Sequence, residues 1–134
     1  MKVEIGKSAS YKKKFTAVDV NGFAAISGDD NPVHLDKNYA EQSIFGRRIV
    51  HGVLVASMYS KIFGTIYPGR GAIYLSQSLK FIKPVYLDEE ITAIATLLEF
   101  DETKKRGLFK TESINSKGDL VLVGEAKILF PDER

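Results

Sequence analysis

Apolar side chains recur along this chain with two periods, helical in the first half and two-residue in the second. The first helical segment opens at Thr16-Ala17-Val18-Asp19, which resembles a capping box, a hydroxyl and a carboxylate three residues apart that each satisfy a free backbone N–H. Val20, Phe23, Ala24 and Ser27 follow at helical spacing, and Gly28 then opens the polar stretch Asp29-Asp30-Asn31-Pro32. Proline restricts the residue before it and has no N–H, so this stretch is expected to interrupt a regular helix. A second helix is predicted from about Gly52 to Ile62, with Gly64 as its stop. Leu54, Met58 and Ile62 are spaced by four, as are Val55, Tyr59 and Phe63. The segment is therefore apolar around much of its circumference, as a buried helix should be.

From Ala72 onward the period changes. Ile73, Leu75, Leu79 and Phe81 alternate with Tyr74, Ser76, Ser78 and Lys80, the pattern of a half-buried strand. Ile91 to Phe100 predicts a longer strand, followed by a charged turn over Asp101–Arg106 and Gly107. Leu108–Ile114 and Leu120–Phe130 predict two more, joined by the turn sequence Asn115-Ser116-Lys117-Gly118. Strands joined this tightly pair antiparallel. The pattern therefore predicts an α+β domain, one buried helix against a curved antiparallel sheet.

Composition narrows the function classes. At 134 residues with no linker, repeat or low-complexity tract, the chain is expected to form one domain over residues 1–134. Its 19 basic and 17 acidic residues give a net charge of +2, with no general footprint for nucleic acid. The absence of cysteine excludes disulfides, thiol catalysis and Cys-ligated metals, and two histidines leave little for a metal centre. Apolar runs such as Leu120–Val123 are far shorter than the roughly 20 residues of a membrane span. The N-terminus lacks the apolar run of a signal peptide, so a cytoplasmic location and no membrane partner are expected.

Two segments could carry chemistry. In Ser27-Gly28-Asp29-Asp30-Asn31-Pro32-Val33-His34-Leu35-Asp36, a loop through Pro32 could turn the Asp29 carboxylate and the His34 imidazole toward one water, as an acid–base pair. Plain structural duties are the alternative: Asp and Asn cap helices, Asn-Pro begins turns, and His34 could simply bond backbone. In Phe45-Gly46-Arg47-Arg48-Ile49-Val50-His51-Gly52, a glycine at a helix start exposes backbone N–H groups to a carbonyl oxygen that gains negative charge. Gly52 could equally relieve crowding, and His51 more often packs or caps than reacts. Ser60 could orient a carboxylate or bond back to its own helix. Arg47-Arg48 is a better phosphate candidate than Lys12-Lys13-Lys14.

Together these segments resemble the MaoC-like, (R)-specific enoyl-CoA hydratase and 3-hydroxyacyl dehydratase family. The family pattern S-G-D-x-N-P-x-H-x-D is Ser27 through Asp36 here, and F-G-x-R-I-V-H-G followed by a small-residue helix is Phe45 through Ser60. The segments Gly69–Gln77 and Leu79–Val85 are similar to the family's strand signatures. The resemblance implies a hot-dog fold, with the sheet wrapped around the central helix, and a homodimer or a multiple of it. It implies that Asp29 and His34 form the acid–base dyad, that the Gly52 N–H binds the thioester oxygen, and that Ser60 helps hold Asp29. Asp30 stands at a variable motif position and takes no role. The implied reaction is reversible hydration of a trans-2-enoyl-CoA to an (R)-3-hydroxyacyl-CoA, with no metal or redox cofactor. Dehydration on acyl-carrier protein, a non-catalytic acyl-CoA-binding protein and a hot-dog thioesterase are the alternatives.

Overall fold

The computed structural model describes residues 3–132. Strand β1 (Ser8–Lys14) leads into helix α1 (Ala17–Ser27), whose start is the expected capping box, with Thr16 Oγ1 accepting from the Asp19 N–H and Asp19 Oδ2 accepting from the Thr16 N–H. Gly28 closes α1 in the left-handed conformation (φ 81°) and its N–H bonds the Ala24 carbonyl. Two short helices, α2 (Pro32–Leu35) and α3 (Lys37–Glu41), occupy the stretch read as an interruption. Pro32 stands at the start of α2, where its missing N–H costs nothing and its fixed φ suits the helix, so it begins a helix, while Gly28 has already closed α1.

Helix α4 (Gly52–Lys61) is the buried helix of the sequence pattern. Gly64 does not stop it: the chain continues through a π-helical turn, Ile62–Ile66, and turns extended only at Tyr67. Strands β2 (Ile73–Gln77), β3 (Lys80–Phe81), β4 (Glu90–Asp101), β5 (Arg106–Ile114) and β6 (Leu120–Leu129) complete the chain. All pairings are antiparallel in the order β1-β4-β5-β6-β2, with β3 also on β6.

The sheet curves around α4. Val55, Met58 and Tyr59 of α4 and Ile62 and Phe63 beyond it join Ile91, Leu97, Phe109, Leu122 and Ile128 of the sheet in one core cluster. Inside it the Tyr59 hydroxyl pairs with Ser113 Oγ at 2.7 Å, and burial pushes the Tyr59 phenol up to about 12.

The strand expected over Ala72–Phe81 departs most from its pattern. It is two strands, broken at Ser78-Leu79, where the Ser78 carbonyl lies against Gly124 so closely that no Cβ would fit. It is also not half-buried, because Ile73, Tyr74, Leu75 and Phe81 are all exposed. An edge strand whose faces are both uncovered within one chain escapes the alternation rule. Among the described residues, no helix is long and apolar enough to cross a membrane.

Candidate active site

The loop between α1 and α2 is held by its own side chains. Ser27 Oγ accepts from the Asp29 N–H, Asp29 Oδ1 from the Asn31 N–H, and Asn31 Oδ1 from the Val33 N–H. This relay places Asp29 at the surface and carries His34, on α2, into the interior at 8% exposure. His34 Nδ1 lies 2.8 Å from the Ile49 carbonyl oxygen. A carbonyl only accepts, so Nδ1 carries the proton and Nε2 keeps its lone pair. Burial holds His34 below the ordinary histidine value and His51 acts in the same direction, while the Ile49 carbonyl and Asp29 oppose them.

His51, 2% exposed, lies beside the pair. Its Nε2 is 3.0 Å from the Asp29 backbone carbonyl and its ring stacks on His34 at 3.8 Å. One ligand atom from each of Asp29, His34 and His51 falls within 4.8 Å of the others. The two imidazoles are nearly parallel (25°), so their in-plane lone pairs run side by side instead of converging on one ion. A neutral imidazole with a free Nε2 next to a carboxylate suits the transfer of a proton to and from water.

Gly52 begins α4. The first N–H taken up by the helix is that of Val55, bonded to the His51 carbonyl, and no side chain caps the N–H groups before it. A Cβ at position 52 would fall 2.5 Å from Cε1 of Phe81, so the aromatic ring rests on the bare Cα. His34 and Gly52 both line a cavity of about 500 Å³ whose walls are mainly apolar. The wall passes from exposed Phe81 and Val53 to buried Val55 and Leu122. Such a cavity suits an alkyl chain with its polar end at His34 and Gly52.

Sequence and structure disagree over the arginine pair. Arg48 is engaged within the chain, where its Nε donates to the His34 carbonyl (2.6 Å) and its Nη2 to Asn21 Oδ1 on α1 (3.1 Å). It straps the His34 backbone to α1. Arg47 stacks over Tyr86 at 4.0 Å and remains exposed. Ser60 is exposed on α4 and makes no hydrogen bond to Asp29 within the chain. The fold thus gathers Asp29, His34, Gly52 and His51, and leaves Ser60 outside.

Residues 3–117 match the family described as MaoC like domain. The chain belongs to the MaoC-like family. It is 41% identical over 129 residues to an (R)-specific enoyl-CoA hydratase of Aeromonas caviae, covering 96% of each chain. It is 35% identical over 133 residues to a mitochondrial 3-hydroxyacyl-[acyl-carrier-protein] dehydratase of Arabidopsis thaliana, covering 97% of this chain and 79% of the other. In three dimensions it is similar to the (R)-hydratase from A. caviae, with a TM-score of 0.94, 41% identity and 96% and 98% of the two chains covered. The hot-dog fold expected from the motifs is the fold present.

Within this MaoC-like chain, sequence reasoning underrated two residues of the second motif. The sequence alone gives His51 to packing or capping and makes Arg47-Arg48 the better phosphate candidate, yet His51 and Arg48 both contact the segments that carry Asp29 and His34. Their sequence signal is their place in the F-G-x-R-I-V-H-G pattern, next to Gly52. Phe81 gave a weaker signal, since strand alternation says nothing about a ring set against a helix start.

Proposed function

We propose that this protein catalyses the reversible hydration of a trans-2-enoyl-CoA to an (R)-3-hydroxyacyl-CoA. The observation that carries the reading is His34 with its Nε2 lone pair free and one ring nitrogen within 4.8 Å of an Asp29 carboxylate oxygen, while His34 and the uncapped start of α4 line one cavity. The A. caviae and Rhodospirillum rubrum relatives, named as (R)-specific enoyl-CoA hydratases at 41% and 40% identity, support the same chemistry. In the hydration direction, Asp29 and His34 hold a water whose oxygen bonds to the β-carbon. The double-bond electrons move toward the α-carbon and the thioester oxygen, and the dyad returns the proton taken from water to the α-carbon. The Gly52 N–H donates to the thioester oxygen as it gains charge, which is where a fixed donor helps most. Every proton and electron pair in this scheme comes from water and substrate. Ser60 takes no step in it.

Acyl-carrier protein in place of CoA is a second reading, favoured by the 35% identity to the Arabidopsis dehydratase. We further propose that the protein is a homodimer in the cytoplasm, with the exposed apolar edge of Ile73 and Leu75 covered by a second copy. The activity is tested by following the enoyl-thioester absorbance with crotonyl-CoA and longer enoyl-CoAs, with the matching carrier-protein thioesters alongside and chiral analysis of the product. Loss of absorbance with formation of the (R)-alcohol is the expected result. Hydrolysis of saturated thioesters, or no turnover of any enoyl-thioester, overturns the reading.

A further inference from the structure

We infer that His51 is a positioning residue, one side chain that fixes Asp29, His34 and the start of α4 relative to one another. It touches all three. Its Nε2 is 3.0 Å from the Asp29 carbonyl oxygen, and because that oxygen only accepts, Nε2 is the protonated nitrogen. Its ring stacks on His34 at 3.8 Å and 25°. Its own carbonyl receives the first helical N–H of α4, and the next residue is Gly52.

The ring is clamped on a second side by Phe23 of α1, edge to face at 4.8 Å. Its Nδ1 is buried and has no hydrogen-bond partner among the described residues. A buried acceptor left unpaired is unfavourable, and a residue serving only to fill this space would do so better without it. The imidazole is retained where its cost is visible, and its benefit lies in the three contacts. Through them, the loop bearing Asp29, the helix bearing His34 and the helix start at Gly52 keep one geometry. Misplacing a reacting group by about 1 Å can cost on the order of 10²-fold in rate.

His51 also acts on His34 electrostatically. The charged or titratable groups that act on His34 are Asp29 from the loop after α1, His51 from the start of α4, and Arg48 on its backbone carbonyl. Of these His51 opposes protonation of His34 and Asp29 favours it. Removing the His51 imidazole therefore moves the acid limb of the rate profile to higher pH.

The inference rests on the hydratase reading, and the test separates the two. If the wild-type protein turns over no enoyl-thioester, the hydratase reading fails. With wild-type turnover established, His51→Phe, His51→Gln and His51→Asn are compared with it. Phenylalanine keeps a ring against His34 and Phe23 but has no donor, whereas glutamine carries an amide N–H close to the place of Nε2. His51→Phe is expected to lose about 10-fold or more in kcat with KM within about threefold, as for an interaction made only in the transition state. His51→Gln is expected to recover most of that loss, and both variants to shift the acid limb upward. His51→Asn, too short to reach the Asp29 carbonyl, should resemble His51→Phe.

A lowered thermal midpoint with wild-type kcat and acid limb per folded site overturns the inference, as does a glutamine variant no better than phenylalanine. Nitrogen chemical shifts of the imidazoles in the unsubstituted protein give a check that needs no variant. The His51 Nε2–H and His34 Nδ1–H tautomers are expected, and a His51 Nδ1–H tautomer refutes the bond to Asp29.

Discussion

Gly52 lets the oxyanion assignment be tested apart from the dyad. A Cβ added there falls 2.5 Å from Cε1 and 2.8 Å from Cδ1 of Phe81, and the atoms nearest to it all belong to that ring. Carbon atoms sit comfortably at about 3.5–4.0 Å, so the ring must withdraw by about 1 Å. Phe81 is 54% exposed on a two-residue strand and has room to swing outward. Alanine is also a better helix former than glycine. Gly52→Ala is therefore expected to keep its thermal midpoint within a few degrees, and Gly52→Val to lower it modestly. Activity should respond differently. Losing one oxyanion donor costs about 2.7–4 kcal/mol, or about 10²–10³-fold in kcat. Valine, which obstructs the approach to the N–H, is expected to reach that range and alanine to show part of it. Thermal midpoint and kcat/KM for crotonyl-CoA are measured on one preparation. Adding Phe81→Ala to Gly52→Ala removes the ring that the new Cβ would displace, so recovery there would assign the loss to ring displacement instead of a blocked thioester oxygen. Wild-type kcat/KM per folded site in both glycine variants refutes the assignment and leaves Gly52 as a packing residue.

Asp29→Asn and His34→Ala are each expected to lower kcat by about 10²–10⁴-fold, and the double variant by far less than the product, since the two act as a unit. Full activity in either single variant removes that residue from the mechanism. Light scattering at micromolar concentration is expected to find a dimer or a multiple of it, and Ile73→Lys on the exposed edge to shift it toward monomer; a wild-type monomer counts against the shared edge. Because burial holds His34 below its ordinary 6.5, the acid limb of kcat/KM is expected below that value. The same shift sets a stability trend. The unfolded chain binds this proton more readily, so unfolding free energy falls as pH drops from 6.5 through the folded value. Thermal midpoints across that window should fall less steeply for His34→Gln than for wild type.

Local rules governed where the sequence was legible. The Thr16–Asp19 box and the Asn115–Gly118 turn are satisfied by contacts within a few residues, and the apolar run of α4 shows itself by helical spacing alone; each forms where the pattern places it. Tertiary contacts governed where it was not. Nothing local to Ser78-Leu79 announces a break, because the close approach found there is to Gly124, far along the chain on β6. Gly64 has the residue type of a helix stop, yet nothing lies within 4 Å of where its Cβ would be, and the chain runs on through a π turn. The site divides in the same way. Asp29 and His34 stand in one short motif that the fold closes into a loop and a turn of helix. That Arg48 reaches His34 and Asn21 depends on α1 packing beside α2, which spacing along the chain does not encode.

The forked strap of Arg48 bears on how sequences of this kind can diverge. Its guanidinium serves two acceptors in fixed directions, a main-chain carbonyl and an amide oxygen on another helix. A lysine there keeps the charge but has no planar fork to span both. Charge-preserving drift, harmless at most surface positions, is therefore expected to loosen the backbone of His34 while every reactive group stays in place. A descendant chain could keep Asp29 and His34 in its motif and still lose turnover through position 48. Sorting working from silent copies of this fold by the two reactive residues alone would then count such chains as active.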